Sequence, residues 1–229
     1  MWLAIDTSTR RAILALEEDG RLIERRFEPR ATQKAIFSEL AGMLDPDTLA
    51  GLEKIIVGLG PGSFTGVKIG VMAAKALAWS RAVPILGVGS LDAVAACTPI
   101  PRSSDASLVV AVPSTRGEAY LRLYRIADAA WRADGPIHDV PVEAGALAPV
   151  LPDGMLLISG EAAEDLAEAL NGKRDFVLAI EESRYPTAAG LFALGLEREA
   201  GGETDDPMQL TPNYVRLTQP ERRSEGGIK

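Results

Sequence analysis

The sequence predicts an α/β protein of two similar lobes, each built around a mixed sheet, and three observations carry the prediction. Short buried strands alternate with helical stretches along most of the chain. The first part reads β-β-β-α-β-α-β-α, and after a stretch rich in Pro and Ser, Thr98 to Asp105, a β-β-β-α-β-α order returns. At an offset of 106 residues, LAIDTSTRRAILAL from Leu3 resembles VVAVPSTRGEAYLRL from Val109, laying Ser8, Thr9 and Arg10 on Ser114, Thr115 and Arg116. A duplication follows, with lobes expected over 1–104 and 105–229.

Each element has its reason. Trp2–Asp6 is a short buried strand ending on a carboxylate, and Thr7-Ser8-Thr9 turns the chain. Ala12–Leu16 and Arg21–Phe27 flank Asp19-Gly20, a strong hairpin signal, and Pro29 closes the meander. From Thr32, the expected N-cap, to Leu44, the residues Ile36, Phe37, Leu40, Met43 and Leu44 fall at helical spacing, and Asp45-Pro46 ends that helix. Lys54–Gly58 is a β-branched strand, Val67–Trp79 a helix, Val83–Val88 a strand, and Ser90 caps a helix through Ala96. In the second copy, Val109–Leu123 holds two strands and Trp131–Val140 a third, followed by a weak helix near Glu143–Pro149. Strand Met155–Ser159, helix Glu161–Leu170, strand Phe176–Ile180 and helix Thr187–Glu199 complete it. In the tail, Tyr214-Val215-Arg216 is expected to return to a lobe, and the run beyond Pro220 to be disordered.

Composition narrows the function classes. Of 229 residues, 47% are apolar and 24% charged, as in ordinary globular proteins that bury a core. The chain enters a strand at Trp2, so no targeting segment is expected, and no uncharged apolar run is long enough to span a membrane. A net charge of −8 opposes RNA binding by the chain alone. The lone Cys97 excludes an internal disulfide and suits the cytoplasm, and with the lone His138 it leaves no usual transition-metal set.

The stretch between Lys54 and Trp79 organises the first lobe. Its loop carries Gly60, Gly62, Ser63, Thr65 and Gly66, and strand, glycine loop and helix together make an anion site in many α/β proteins. A P-loop is excluded because Val67 follows Gly66, with Lys68 one residue late, and the G-x-G-x-x-G spacing fails as well. The other reading of these glycines is a tight turn that needs close backbone approach.

Two lobes that each open with a three-stranded meander resemble the actin/hexokinase/Hsp70 architecture, a ribonuclease H-like fold. There a nucleotide lies between lobes, held by paired hairpin turns with an Asp at each strand end. Asp6, Thr7, Ser8 and Thr9 match the first turn, whereas Val112 and Pro113 stand opposite Asp6 and Thr7 in the second, removing a carboxylate and a backbone donor. The turn is thus expected to be vestigial. IDTST, GLGPGSFTGVKIGVMAAKALA, PILGVGSLDA and RGEAY further resemble the TsaB (YeaZ) family of the Gcp-like, peptidase M22-labelled superfamily, over most of the chain and most strongly from Met1 to Ala96. Departures are Gln33 and Lys34, where His and Ser are common, and Pro113-Ser114 in place of Asp-Ala.

That resemblance implies a non-catalytic subunit of the complex that makes threonylcarbamoyladenosine in tRNA. Its implied partners are a TsaD-like catalytic paralogue, a TsaE-like ATPase and tRNA held through the complex, with a homodimer when the paralogue is absent. ATP and a metal are expected in the partner subunits, and no cofactor or metal in this chain. Gly70, Ala74 and Ala78, four residues apart, either let a partner helix approach or pack within the lobe. Joined to the resemblance, they make an expected partner interface of Ile36, Leu40, Met43, Lys68, Gly70, Met72, Ala74, Lys75 and Ala78. The competing function is an ATP-dependent phosphotransferase or ATPase using Asp6. A metalloprotease is opposed by the absence of a His pair.

Overall fold

Two sheets carry the chain, and the computed structural model describes residues 1–28, 35–101 and 105–215. The first grows from the opening meander: β1 (Trp2–Asp6), β2 (Ala12–Glu18) and β3 (Arg21–Phe27) pair antiparallel. Asp19 and Gly20 turn the hairpin at φ 50° and 79°, the left-handed pair such a tight turn requires. β1 and β2 are apolar and buried, while β3 lies at the edge and carries Arg21, Glu24, Arg25 and Arg26, charges that discourage further pairing. β4 (Lys54–Gly58) runs parallel to β1, and β5 (Ile85–Val88) parallel to β4, giving the order β3-β2-β1-β4-β5.

Parallel neighbours need crossovers, and helices supply them. α1 (Ala35–Met43) and the short α2 (Pro46–Ala50) precede β4, and α3 (Phe64–Arg81) joins β4 to β5. Asp45-Pro46, expected only to stop a helix, also starts one: the Asp45 carboxylate accepts the Thr48 amide at 2.8 Å, with Pro46 in the first turn. α3 starts earlier than expected because Ser63 caps it, accepting the Gly66 amide at 3.3 Å. Pro29, the expected cap Thr32, Gln33, Lys34 and the tail beyond 215 lie outside the described residues.

The second sheet repeats the plan. It contains β6 (Ser107–Pro113), β7 (Glu118–Ala127), β8 (Ala130–Ala133), β9 (His138–Pro141), β10 (Leu156–Ser159) and β11 (Phe176–Leu178). Its order, β11-β10-β6-β7-β8 with β9 also on β7, matches the first sheet strand for strand. This is the duplicated two-lobe α/β architecture of the actin-like type. The run Trp131–Val140, read as one strand, is two, because Gly135 at φ 99° and Pro136 break it. α4 (Ser90–Cys97), α5 (Ala144–Leu147), α6 (Ala163–Leu170) and α7 (Ala188–Ala200) complete the α-helices described, and a 3-10 turn spans Glu181–Arg184.

The last helix of each half crosses over. Leu91, Val94 and Ala95 of α4 pack with Leu108, Val110, Tyr124 and Trp131 of the second sheet. Ala188, Leu191 and Phe192 of α7 pack with Ala4, Ile13, Ile56 and Leu86 of the first. A division into 1–104 and 105–229 therefore stands as a proposal for the strands alone. After α7 the chain runs back along the first lobe, where Asp205 bridges to Ile85 at the edge of β5. No helix among the described residues is long and apolar enough to cross a membrane.

Candidate functional site

The glycine loop and the β1–β2 turn are built against each other. Asp6 to Thr9 are all buried, and Asp6 is 1% exposed. Its Oδ1 accepts the Ser8 amide at 2.8 Å and the Ser8 hydroxyl at 2.6 Å, and its Oδ2 accepts the Ser90 hydroxyl at 2.6 Å. Burial raises the Asp6 pKa above the usual carboxylate range, against the lowering effect of those hydrogen bonds. Ser90 Oγ in turn accepts the Gly60 amide at 2.9 Å, so one carboxylate ties β1, the glycine loop and the start of α4 together.

The start of α3 closes on the same turn from the other side. Ser63 donates its amide to the Ser8 carbonyl at 2.7 Å, and Thr7 Oγ1 donates to the Gly66 carbonyl at 2.7 Å. A Cβ at Gly66 would overlap the Thr7 carbonyl oxygen, and one at Gly70 the Thr7 hydroxyl. These glycines let α3 sit on the turn, the close-approach reading of the loop. Gly62 also packs on Ser8, while Thr65 faces outward. In the second lobe, Val112 is packed in an apolar cluster and Pro113 has no amide to donate.

The rim of this turn fastens the lobes. The Arg10 guanidinium donates to Tyr185 Oη at 2.7 Å, its amide donates to Glu161 Oε2 at 3.0 Å, and the Arg11 guanidinium lies 4.4 Å from the Tyr185 ring centre. Arg11 also pairs with Glu181. Sequence reasoning missed this clasp: its one local signal was the Arg10-Arg11 doublet, and its partners are some 150 residues away or more.

α3 presents two faces, and they correct part of the expected interface. Gly70, Ala74 and Ala78 are buried and belong to the first lobe's own packing, Ala74 being 0% exposed. Ile36, Leu40 and Met43 of α1 turn into the same core. A straight helix puts residues four apart on one flank, and here the sheet takes that flank. The outer face carries Phe64, Lys68, Met72 and Trp79, the three apolar residues being 54%, 61% and 75% exposed. Lys68 Nζ lies 5.0 Å from the Phe64 ring centre. Lys75, expected to face a partner, donates to the Leu210 carbonyl at 2.9 Å.

Elsewhere, a cavity of about 510 Å³ opens among α4, α7 and the β7–β8 hairpin. Within its walls Arg122 pairs with Asp92 at 3.0 Å and Arg132 with Glu197 at 2.6 Å, while Arg198 pairs with Asp205 outside them at 2.7 Å. Burial pushes the Cys97 thiol up, and it shares a hydrogen bond with Thr187. No group of three or more His, Cys, Asp or Glu among the described residues is placed to hold a metal.

Against this geometry stand the similarities to known proteins. The family described as TsaD, tRNA N6-adenosine threonylcarbamoyltransferase, matches residues 47–178. The tRNA threonylcarbamoyladenosine biosynthesis protein TsaB of Bacillus subtilis (strain 168) is 32% identical over 175 residues, covering 75% of this chain and 73% of that protein. The protein of the same name from Escherichia coli (strain K12) is 30% identical over 228 residues, covering 93% and 94%. YeaZ from Pseudomonas aeruginosa superposes with a TM-score of 0.76 at 25% identity, covering 93% of this chain and 99% of that one.

Proposed function

Because this chain belongs to the TsaB (YeaZ) family, we propose that it acts in tRNA threonylcarbamoyladenosine biosynthesis as the scaffolding subunit of a transferase complex. In this reading it docks a TsaD-like catalytic paralogue, supports a TsaE-like ATPase, and meets tRNA through the complex rather than alone. One observation carries the proposal: the fold buries its hairpin-turn carboxylate and leaves an apolar helix face outside. Asp6 is spent on Ser8 and Ser90, where an ATPase of this architecture would need it turned to a metal–nucleotide. Phe64, Met72 and Trp79 meanwhile line one exposed side of α3, the kind of surface that a partner covers.

The interface proposed now consists of Phe64, Lys68, Met72 and Trp79, with Phe37 exposed on α1, whose inner residues share the first lobe's core with α3. The expected chemistry is none by this chain alone. Purified protein, its TsaD-like paralogue and the small ATPase, combined with tRNA and substrates, test both halves. Met72→Glu should abolish heterodimer formation on size exclusion, and modified nucleoside with it, at an unchanged melting temperature. A Met72→Glu chain that still forms the heterodimer would overturn the docking assignment. ATP turnover by the lone chain that disappears in Asp6→Asn would instead favour the phosphotransferase or ATPase reading.

A further inference from the structure

We propose that the cavity among α4, α7 and the β7–β8 hairpin binds a small organic monocarboxylate, with its apolar body against the alanine-lined walls and its carboxylate on Arg132. This site is separate from the docking surface above, because neither α1 nor α3 supplies a wall.

Both halves of the molecule build the cavity. Gly87 to Gly89, at the end of β5, and α7, which packs on the first sheet, supply one side. The other side comes from α4 and the β7–β8 hairpin, which pack on each other in the second lobe. Its volume of about 510 Å³ lies in the range of small-molecule sites, which favour such joints. Small side chains keep it open: Ala95 and Ala96 on α4, Ala193 on α7 and Ala133 on β8. With Leu194 and Trp131 they make its walls largely apolar.

Hydrogen bonding selects the ligand class. Net charge does not favour a phosphate, because Arg122, Arg132 and Arg198 are each paired with a carboxylate already. Asp92 is filled as an acceptor by Tyr124 Oη at 2.7 Å and Arg122 Nη1 at 3.0 Å. A Cβ at Gly89 would overlap that carboxylate, so the glycine is what admits it there. Donors are what the walls have to spare. Arg122 gives Nε to the Gly135 carbonyl at 3.2 Å and Nη1 to Asp92, and Arg132 gives Nη1 to Glu197. Among the described residues, Nη2 of Arg122 and both Nε and Nη2 of Arg132 donate to no acceptor. Nε and Nη2 form one flat edge of a guanidinium, the fork that grips both oxygens of a carboxylate. A neutral carbonyl would fill only half of it. The open fork and the apolar walls belong to one cavity, and an amphipathic monocarboxylate satisfies both.

Amide NMR spectra of the full labelled chain, titrated with benzoate, test the assignment. Benzoate should move the amides of Ala96, Arg132 and Leu194 together, with a Kd of about 10 mM or below, as suits a fragment of that size. Arg132→Gln should weaken binding about tenfold or more, and so should Arg132→Lys, which keeps the charge but loses the fork. Ala193→Phe fills the cavity from an exposed helix position and should abolish binding, with a melting temperature near wild type. Arg125→Gln, opposite Arg132 in the hairpin but outside the walls, should bind benzoate as wild type does. Met72→Glu should bind it equally well, whatever becomes of docking, so the two proposals fail separately. Absence of a joint shift at the three amides would overturn the site. Wild-type affinity in Ala193→Phe would place benzoate elsewhere and overturn the cavity. Benzamide binding as tightly as benzoate would overturn the carboxylate, and inorganic phosphate moving the same amides as strongly would overturn the part given to the apolar walls.

Discussion

Asp6 accepts three hydrogen bonds inside the protein, and removing it orphans the Ser8 amide, the Ser8 hydroxyl and the Ser90 hydroxyl. Asp6→Ala should therefore cost about 1–3 kcal/mol, the usual penalty for buried groups left unsatisfied. At about 2–4 °C per kcal/mol for a chain of this size, the melting temperature should drop by several degrees. The pH dependence has a definite sign. The folded pKa is raised by burial, so the contribution of Asp6 to stability is fully present below its unfolded pKa of about 3.9 and is lost as pH rises through the folded value. Asp6→Asn stays neutral and should gain on wild type as pH climbs from acid toward neutrality. Melts across that range check this, and a gap that does not change with pH would contradict the buried, pKa-raised carboxylate.

Helix α3 has residues of two kinds at intervals of four, and the sheet decides which kind is inside. Ala74 is buried among Leu3, Ile5, Val57 and Val71 in one cluster. Ala74→Arg should accordingly overpack the lobe and bury a charge, costing about 3 kcal/mol or more, with aggregation or a large fall in melting temperature. A thermal melt beside size exclusion reads the outcome. A stable Ala74→Arg monomer that merely fails to bind its partner would mean that the small residues face outward after all. Met72, two positions earlier, has the opposite expectation because its side chain meets solvent.

At the scale of the whole molecule, the two sheets are bridged by side chains of the protein itself. The crossed helices α4 and α7 join the cores, and the Arg10–Tyr185–Arg11 clasp closes the rim. Net charge acts at the same scale. With −8 overall, and with many arginines engaged by carboxylates, the lone chain should bind tRNA weakly and lose that binding at modest salt. Filter binding at physiological ionic strength measures it. Tight binding there would require a basic surface that the acidic balance hides.

The sequence by itself determined most of the order of strands and helices, α2 and the break within Trp131–Val140 apart, together with the repeat and the family. Hairpin chemistry at Asp19-Gly20, β-branched strands and the GPGSFTG loop are local signals, set by backbone sterics and side-chain period within a few residues. That the Asp6 turn, the glycine loop and the start of α3 meet was not legible there and came from the structure. Which face of α3 is covered was decided only by the tertiary structure, since Gly70, Ala74 and Ala78 suit a sheet and a partner helix equally well. The same holds for Tyr185, Asp205 and Lys75. Their partners lie far along the chain, so no local pattern records them, and they meet only when the lobes close and the chain after α7 returns to β5.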